Sequence, residues 1–388
     1  MKWPTLALED LATVQRGKFS ARPRNDPKYY GGDIPFIQTG DVANGAGRVR
    51  SYSQTLNSSG LSVSKLFPKG SLVVTIAANI GDVAKVEFDF ACPDSLVVVQ
   101  ANQAVNSDWL QYSLESKKAL LDSLAPQNAQ KNINLEVLRP LAFDVPPFGE
   151  QQRIAGVINA WDGAIEKTER LVVLRMKQKA WLLSRVISAS GSTTKLGDFI
   201  KQVSRPMPKP TQPYWALGIR SHGKGTFQRF VADPNSVDME ELYALERDNL
   251  IVNITFAWEG AIAFVKPEDE RCLVSHRFPT YEIDREIADP GFVKYIVNCK
   301  PFFSQLALIS PGGAGRNRVL NKKDFLKLSV SLPPRGEQKR YAQILATMDL
   351  LLKKETSQLA SLKKQKRGLM QKLLTGQWRV KIAETEAG

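Results

Sequence analysis

The feature that most constrains this chain is a stretch written twice. Residues 145–187 read VPPFGEQQRIAGVINAWDGAIEKTERLVVLRMKQKAWLLSRVI, and residues 332–376 read LPPRGEQKRYAQILATMDLLLKKETSQLASLKKQKRGLMQKLLTG. Pro146, Pro147, Gly149, Glu150, Gln151, Arg153, Ala155 and Asp162 recur as Pro333, Pro334, Gly336, Glu337, Gln338, Arg340, Ala342 and Asp349, each pair 187 positions apart without a gap. The chain is a tandem duplication, so its fold must accommodate two similar halves.

Each copy opens on Pro-Pro, which cannot continue a strand and suits the entry to a helix. No proline follows for roughly ten helical turns. Apolar residues step at helical spacing through Ile154, Val157, Ile158, Trp161, Ile165, Leu171, Val172 and Leu182. The second copy keeps the phase through Tyr341, Ile344, Leu345, Met348, Leu351, Leu352, Leu359, Leu362, Leu369 and Leu373. Two long amphipathic helices of matching phase are each other's obvious partners, which predicts an antiparallel coiled-coil pair about a pseudo-two-fold axis. The alternative is two separate arms, each joining another molecule. Glu150, Gln151, Glu337 and Gln338 read as N-terminal caps, with contact to a partner chain the alternative. Gly368 lowers helicity by up to ~1 kcal/mol relative to Ala, and marks a bend or a close approach of the partner helix.

The rest repeats too. Residues 1–145 and 191–332 are two mixed α/β (α+β) units, and residues 146–190 and 333–380 are the two helices. LGDFIKQVSRP answers LEDLATVQRG, a short helix signal. YWALGIRSHGKGTF answers PFIQTGDVANGAGRV, each with a Gly-x-Gly turn, and NLIVNITFAWEGAIAFV answers the strand pattern SLVVTIAANIGDVAKV. SDWLQYSLESKKALLDSL and DPGFVKYIVNCKPFFSQL are matching helices, after which APQNAQKNIN is replaced by SPGGAGRNRVLN. The framework repeats while the loops differ. Antiparallel helices would put the units at the ends of a rod about 50 Å long at ~1.5 Å per residue, more than one duplex turn of about 34 Å.

The 388 residues allow two or more cores, and no apolar run reaches membrane-spanning length. The acid-bearing start lacks a signal-peptide core, which predicts a cytoplasmic protein. Cys92, Cys272 and Cys299 are scattered and read as free, buried thiols. The net charge of +14 favours a polyanionic partner, most simply nucleic acid; residues 351–380 alone hold eight basic residues and one acid, Glu355.

No catalytic constellation survives inspection. Asp144-Val145-Pro146-Pro147-Phe148 has the wrong spacing for the base-holding loop of an amino-methyltransferase and reads as a strand-to-helix corner. Pro93, Asp94, Glu115 and Lys117 imitate a nuclease motif, but the last two fall in a helical segment where i and i+2 point apart. Gly312, Gly313 and Gly315 lack the Lys-Ser/Thr ending of a phosphate loop. His222 and His276 are the only histidines, too few for a His-based metal site.

PPFGEQQRIAGVI, LPPRGEQKRYAQIL, the ending LMQKLLTGQWRV and the duplicated IGDVAKV/EGAIAFV strands together resemble the specificity subunits of type I restriction–modification enzymes, across essentially the whole chain. That resemblance implies two target-recognition domains, each reading one half of a bipartite sequence in double-stranded DNA. It implies helices that space them and dock two methyltransferase subunits, and restriction/translocase subunits that join to cut unmodified DNA. S-adenosylmethionine would belong to the methyltransferase partner, leaving this chain without cofactor, metal or catalytic residue. The alternatives are a methylation-only or fused system, a stand-alone DNA-modifying enzyme, and a coiled-coil scaffold with no DNA role.

Bases are read by donors and acceptors in loops that differ between the units. The first unit offers Arg22, Arg24, Gln38, Thr39, Asn79, Gln127, Asn128, Gln130 and Lys131. The second offers Arg220, Ser221, Lys224, Trp258, His276, Arg277, Arg316, Asn317 and Arg318. Lys363, Lys364, Lys366 and Arg367 are candidates for phosphates of an unread spacer, or form a solvated face.

Overall fold

A computed structural model describes residues 2–77, 79–125, 132–189, 193–312 and 318–380. The chain divides into two compact units, Met1–Glu169 with Ser357–Gly388, and Arg170–Thr356. Each unit therefore holds one half of each long helix.

The strands of the first unit are β1 (Thr5–Ala7), β2 (Ala12–Arg16), β3 (Tyr30–Phe36), β4 (Arg48–Val49), β5 (Gln54–Leu56), β6 (Leu66–Phe67), β7 (Leu72–Thr75), β8 (Val83–Val86), β9 (Phe90–Ala91), β10 (Leu96–Ala101) and β11 (Ala142–Asp144). They form a sheet of order β2-β10-β7-β8-β4, a sheet of order β5-β3-β9-β6, and the pair β1-β11. The continuous apolar runs of β7 and β10 follow from burial on both faces. Leu72, Val74, Val97 and Val99 turn toward Trp109, Leu110, Ile154 and Ile158 of the helices. Val73 and Val98 turn toward Ile37, Phe67 and Phe90.

The second unit has β12 (Thr193–Lys195), β13 (Ile200–Val203), β14 (Pro206–Pro208), β15 (Tyr214–Ile219), β16 (Thr226–Val231), β17 (Glu241–Ala244), β18 (Leu250–Val252), β19 (Ile262–Phe264), β20 (Cys272–Val274), β21 (Thr280–Ile283) and β22 (Ser329–Ser331). Its sheets run β13-β21-β18-β19 and β14-β17-β20-β15-β16, with the pair β12-β22. The orders match element for element: β3 and β9 pair parallel, as do β15 and β20. Among the described residues, only β4 in the first unit and the proline-edged β14 in the second lack a counterpart. Gly81 (φ 82°) and Gly260 (φ 75°) close the equivalent β7–β8 and β18–β19 connections in left-handed conformation. An added Cβ would stand 3.1 Å from Lys118 and 3.0 Å from the Phe303 ring, so both geometry and space call for glycine.

Within the α/β units two expectations change. The helix expected over LALEDLATVQRG is one turn, Leu8–Leu11, followed by β2; Ala12 and Val14 are buried and Thr13 exposed, a period of two that suits pairing with β10. The segments with Gly-x-Gly turns also differ. In the first unit β3 leads into a helix, Thr39–Asn44, whose Asp41 accepts the Gln38 amide at 2.8 Å. In the second, β15 and β16 form a direct hairpin with Ile219 opposite Thr226.

The long helices run Phe148–Ala189 and Arg335–Leu374, beginning directly after Pro147 and Pro334. They are antiparallel within each unit. Lys363 pairs with Glu169 and Lys366 with Asp162, each at 2.6 Å, in the first; Arg175 pairs with Glu355 at 2.5 Å and Lys179 with Asp349 in the second. Asp162/Lys366 and Asp349/Lys179 are the same pair at the repeat offset. Each aspartate also accepts a hydroxyl from its α/β unit, Tyr112 at 2.7 Å and Tyr295 at 2.9 Å. The paired lysines lie 5.1 and 5.3 Å from those rings. Burial, then the bond to the aspartate, pushes both phenols up.

The glutamines at the helix starts do not cap their own helices. Gln151 accepts the Asn106 amide at 2.8 Å and donates to the Pro146 carbonyl at 3.0 Å. Gln338 accepts the Asp289 amide and donates to Pro333, both at 2.8 Å. Asn106 and Asp289 are themselves the N-caps of the helices Ser107–Ser116 and Pro290–Ile296. Each glutamine thus ties a long helix to the matching helix of its unit. Glu150, buried, accepts the Trp3 indole at 3.3 Å and Arg379 at 2.7 and 2.8 Å, whereas Glu337 is exposed. An added Cβ at Gly368 would meet nothing within 4 Å, so no close approach requires glycine there. The three cysteines are free and buried, and burial pushes Cys92 up to about 12.

Candidate nucleic-acid interface

In the second unit several candidate side chains gather at the β18–β19 connection. The turn Ala257–Glu259 is locked by the His222 and Gly223 amides, which donate to the Glu259 and Gly260 carbonyls at 2.7 and 3.0 Å. Ser221 donates its hydroxyl to the Glu259 carboxylate at 2.7 Å. Trp258 donates its indole N–H to Thr255 at 3.2 Å and carries Arg318 5.0 Å over its ring. Arg277 approaches through its backbone, its carbonyl accepting the Ile254 amide at 3.0 Å, and its side chain and that of neighbouring His276 are exposed. Arg220 donates to Thr226 at 2.8 Å and stacks 5.0 Å from Phe227, while Lys224 is exposed in the hairpin turn.

Arg318 also has a structural task. Its guanidinium donates to Ser310 at 3.0 Å and Ala307 at 2.7 Å, the carbonyls at the end of the helix Lys300–Leu308, where a cation complements the helix dipole. Arg316 and Asn317 lie outside the described residues.

In the first unit the backbone beside several candidates, and the Arg24 side chain, meet the segment Ala91–Ser95. The Ile37 amide, beside Gln38 and Thr39, donates to Ala91 at 2.9 Å; the Ile76 amide, entering the turn that carries Asn79, donates to Ser95 at 3.4 Å. Between them Arg24 grips Asp94 with bonds of 3.0 and 2.9 Å. Arg22 bonds the Ala21 carbonyl at 2.8 Å, and Gln38 donates to Gln54 at 3.1 Å. Gln127, Asn128, Gln130 and Lys131 lie outside the described residues. The residues that follow them meet the segment leading into the same turn, Asn132 bridging Ala77 and the Ile133 amide donating to Ile76 at 3.0 Å. Leu320 donates to Ile254 at 2.8 Å in the corresponding place of the second unit. Both units thus present three chain segments at one locus: the β7–β8 or β18–β19 turn, the turn after β9 or β20, and the residues at Asn132–Ile133 or Leu320.

Sequence reading missed the stack Arg271–Trp215–Phe230 on the edge of the second unit's sheet, with Arg271 4.8 Å from Trp215 and Trp215 5.2 Å from exposed Phe230. Its members come from three strands or turns, and no spacing announces their meeting. The rejected catalytic matches stay apart in role. Asp94 is an exposed partner of Arg24, and Glu115 sits on a helix against Gln111 at 2.9 Å. Asp144 ends β11 at the corner into the long helix. Among the described residues no cluster of three or more His, Cys, Asp or Glu could hold a metal ion, and no helix is long and apolar enough to cross a membrane.

The sequence profile described as type I restriction modification DNA specificity domain matches residues 1–175 and again residues 196–364. The chain belongs to that family. A putative type I restriction enzyme MjaX specificity subunit of Methanocaldococcus jannaschii is 22% identical over 276 residues, which are 65% of this chain and 63% of the relative's length. The fold is shared with a type I restriction–modification S subunit from M. genitalium, at TM-score 0.58 and 16% identity over 96% of each chain. A structure described under complex assembly and conformational transition of the type I R-M system gives TM-score 0.60 and 14% identity, over 97% of this chain and 98% of that one. The specificity family's double match falls on the two repeats whose strand frames coincide.

Proposed function

We propose that this chain is the sequence-reading, non-catalytic subunit of a type I restriction–modification assembly. Residues 1–145 and 191–332 act as target-recognition domains, and the helices within 146–190 and 333–380 as spacers and docking elements. Each domain reads one half of a bipartite duplex target through the locus at its β7–β8 or β18–β19 turn. Two methyltransferase subunits, holding S-adenosylmethionine, dock on the helices, restriction/translocase subunits join them, and the assembly works in the cytoplasm.

The observation that carries this reading is the double family match on two units with one strand frame and different loops. A common frame with unlike loops is what two readers of unlike half-sites require. The basic charge supplies affinity for phosphates, and the exposed Arg277, Lys224, His276 and Asn79 supply groups for base edges. The test is reconstitution. Purified alone, the chain is expected to transfer no methyl group and cut no DNA; with its methyltransferase subunit it directs adenine methylation to a split motif. Methyl transfer or cleavage by the chain alone would overturn the non-catalytic role.

A further inference from the structure

The two halves of the helix pair are unequal on their outer surfaces. In the second unit Leu171, Leu174 and Trp181 are 41%, 52% and 59% exposed. At 3.6 residues per turn they fall on one sector of the helix with Gln178 and Arg185. Arg185 lies 5.6 Å over the Trp181 ring. The inward side carries Arg175, Lys179 and Val186 instead, bound to Glu355, bound to Asp349 and buried, respectively. At the repeat offset the sector becomes Gln358, Ser361, Gln365, Gly368 and Lys372, all exposed. Two leucines and a tryptophan on one copy answer glutamine, serine and glycine on the other.

Scattered exposed apolar residues need no explanation, but a Leu-Leu-Trp stripe on one helix face suits a partner, and tryptophan is the side chain most enriched where binding energy concentrates. Charge selects the occupant. Outside the Arg175–Glu355 and Lys179–Asp349 pairs, residues 170–189 of the helix carry Arg170, Lys177 and Arg185 and no carboxylate. A second copy of this face would set like charges together. An amphipathic helix with acidic flanks would be complementary.

Resting on the functional reading above, we propose that this stripe docks an acid-flanked helix of the methyltransferase subunit. Its counterpart at Gln358–Lys372 does not, so the two methyltransferase copies bind unequally and the first binds at Leu171–Trp181. The experiment is a titration of the full-length chain with the methyltransferase subunit of its own host, followed by native mass spectrometry and hydrogen exchange. A 1:1 complex is expected well before 2:1, with protection over residues 171–185 and none over 358–372 at the first step. Leu174→Ser with Trp181→Gln, surface changes whose folding circular dichroism checks, should weaken the first step about 10- to 100-fold and merge the two. Ser361→Leu with Gly368→Trp should strengthen the second. Equal affinities in the wild type, an unchanged first step in the folded double variant, or protection of 171–185 by duplex DNA or self-association instead would overturn the proposal alone. Failure to bind any methyltransferase subunit would overturn the functional reading as well.

Discussion

The two units solve the same anchoring problem with unequal means. In both, a tyrosine, an aspartate and a lysine join the α/β unit to the helix pair, as Tyr112–Asp162–Lys366 and Tyr295–Asp349–Lys179. The first unit adds a polar network around that joint. Tyr112 also reaches Asn159 at 2.7 Å, and Arg48 bonds Asn159 and Asp108, with Lys85 on Asp108 at 2.9 Å. In the second unit the positions of Asn159 and Asp108 hold Ala346 and Gly291, and an added Cβ at Gly291 would stand 3.4 Å from Ala342. One joint sits in a polar network; at the other the network positions hold alanine and glycine, and the Tyr295–Asp349–Lys179 contacts remain. Duplication therefore preserved the contacts that set the frame and left its surroundings free to diverge.

The largest effects should be shared. Ile158 and Leu345, equivalent and fully buried, should each cost about 2–5 kcal/mol when changed to Ala, read by hydrogen exchange over β7 and β18 respectively. A clear inequality would show that the frames are not energetically equivalent. The next effect should separate the units. Asp349→Ala strands the Tyr295 hydroxyl and should cost about 1–3 kcal/mol, whereas Asp162→Ala leaves Tyr112 with Asn159 and should cost less. Reversal of that order in denaturant unfolding would remove the network's role.

A third, smaller difference depends on pH. Glu115 of the first unit corresponds to Asn298 of the second, whose buried carbonyl oxygen has no hydrogen-bond partner among the described residues. Burial raises the Glu115 carboxyl, with Gln111 and Lys366 opposing, Asp162 adding to the rise, and Arg48 opposing. A carboxyl raised in the folded state stabilises most when protonated, and that contribution is lost as pH rises through its folded pKa. Glu115→Gln should therefore stabilise the protein at neutral pH, with the advantage fading in acid, while Asn298 variants show no such pH trend. Smallest is the change for Lys364 and Arg367, both exposed. Neutralising them should flatten the salt dependence of DNA binding by about one unit of slope per phosphate lost, without changing the preferred sequence.

The duplication, the long helices, the hairpin strands and the Pro-Pro helix starts were legible because periodicity and punctuation report local structure. Of the joint, only the recurrence of Asp162 as Asp349 was read from the sequence: the helices as matched there leave Tyr112 and Tyr295 one position apart, and the N-caps Asn106 and Asp289 bring them into register. Gln151 and Gln338 were misassigned because their partners, the amides of Asn106 and Asp289, are brought in by tertiary packing. The helix at Thr39–Asn44 was not read from the sequence; Asp41 caps it locally and Val42 finds the core. At the candidate interface, residue types were legible but directions were not. Whether Arg318 faces solvent or the carbonyls of Ala307 and Ser310 depends on where a distant helix ends.

The central claim is that the two units read different half-sites independently. Its most direct test is adenine-methylation mapping by long-read sequencing of host genomes carrying the wild-type gene, no gene, or Lys224→Ala with Arg277→Ala. A split, asymmetric motif should vanish without the gene, and the double variant should relax one half of it while leaving the other half and the gap unchanged. A motif that survives deletion, or a double variant that alters both halves together, would contradict it.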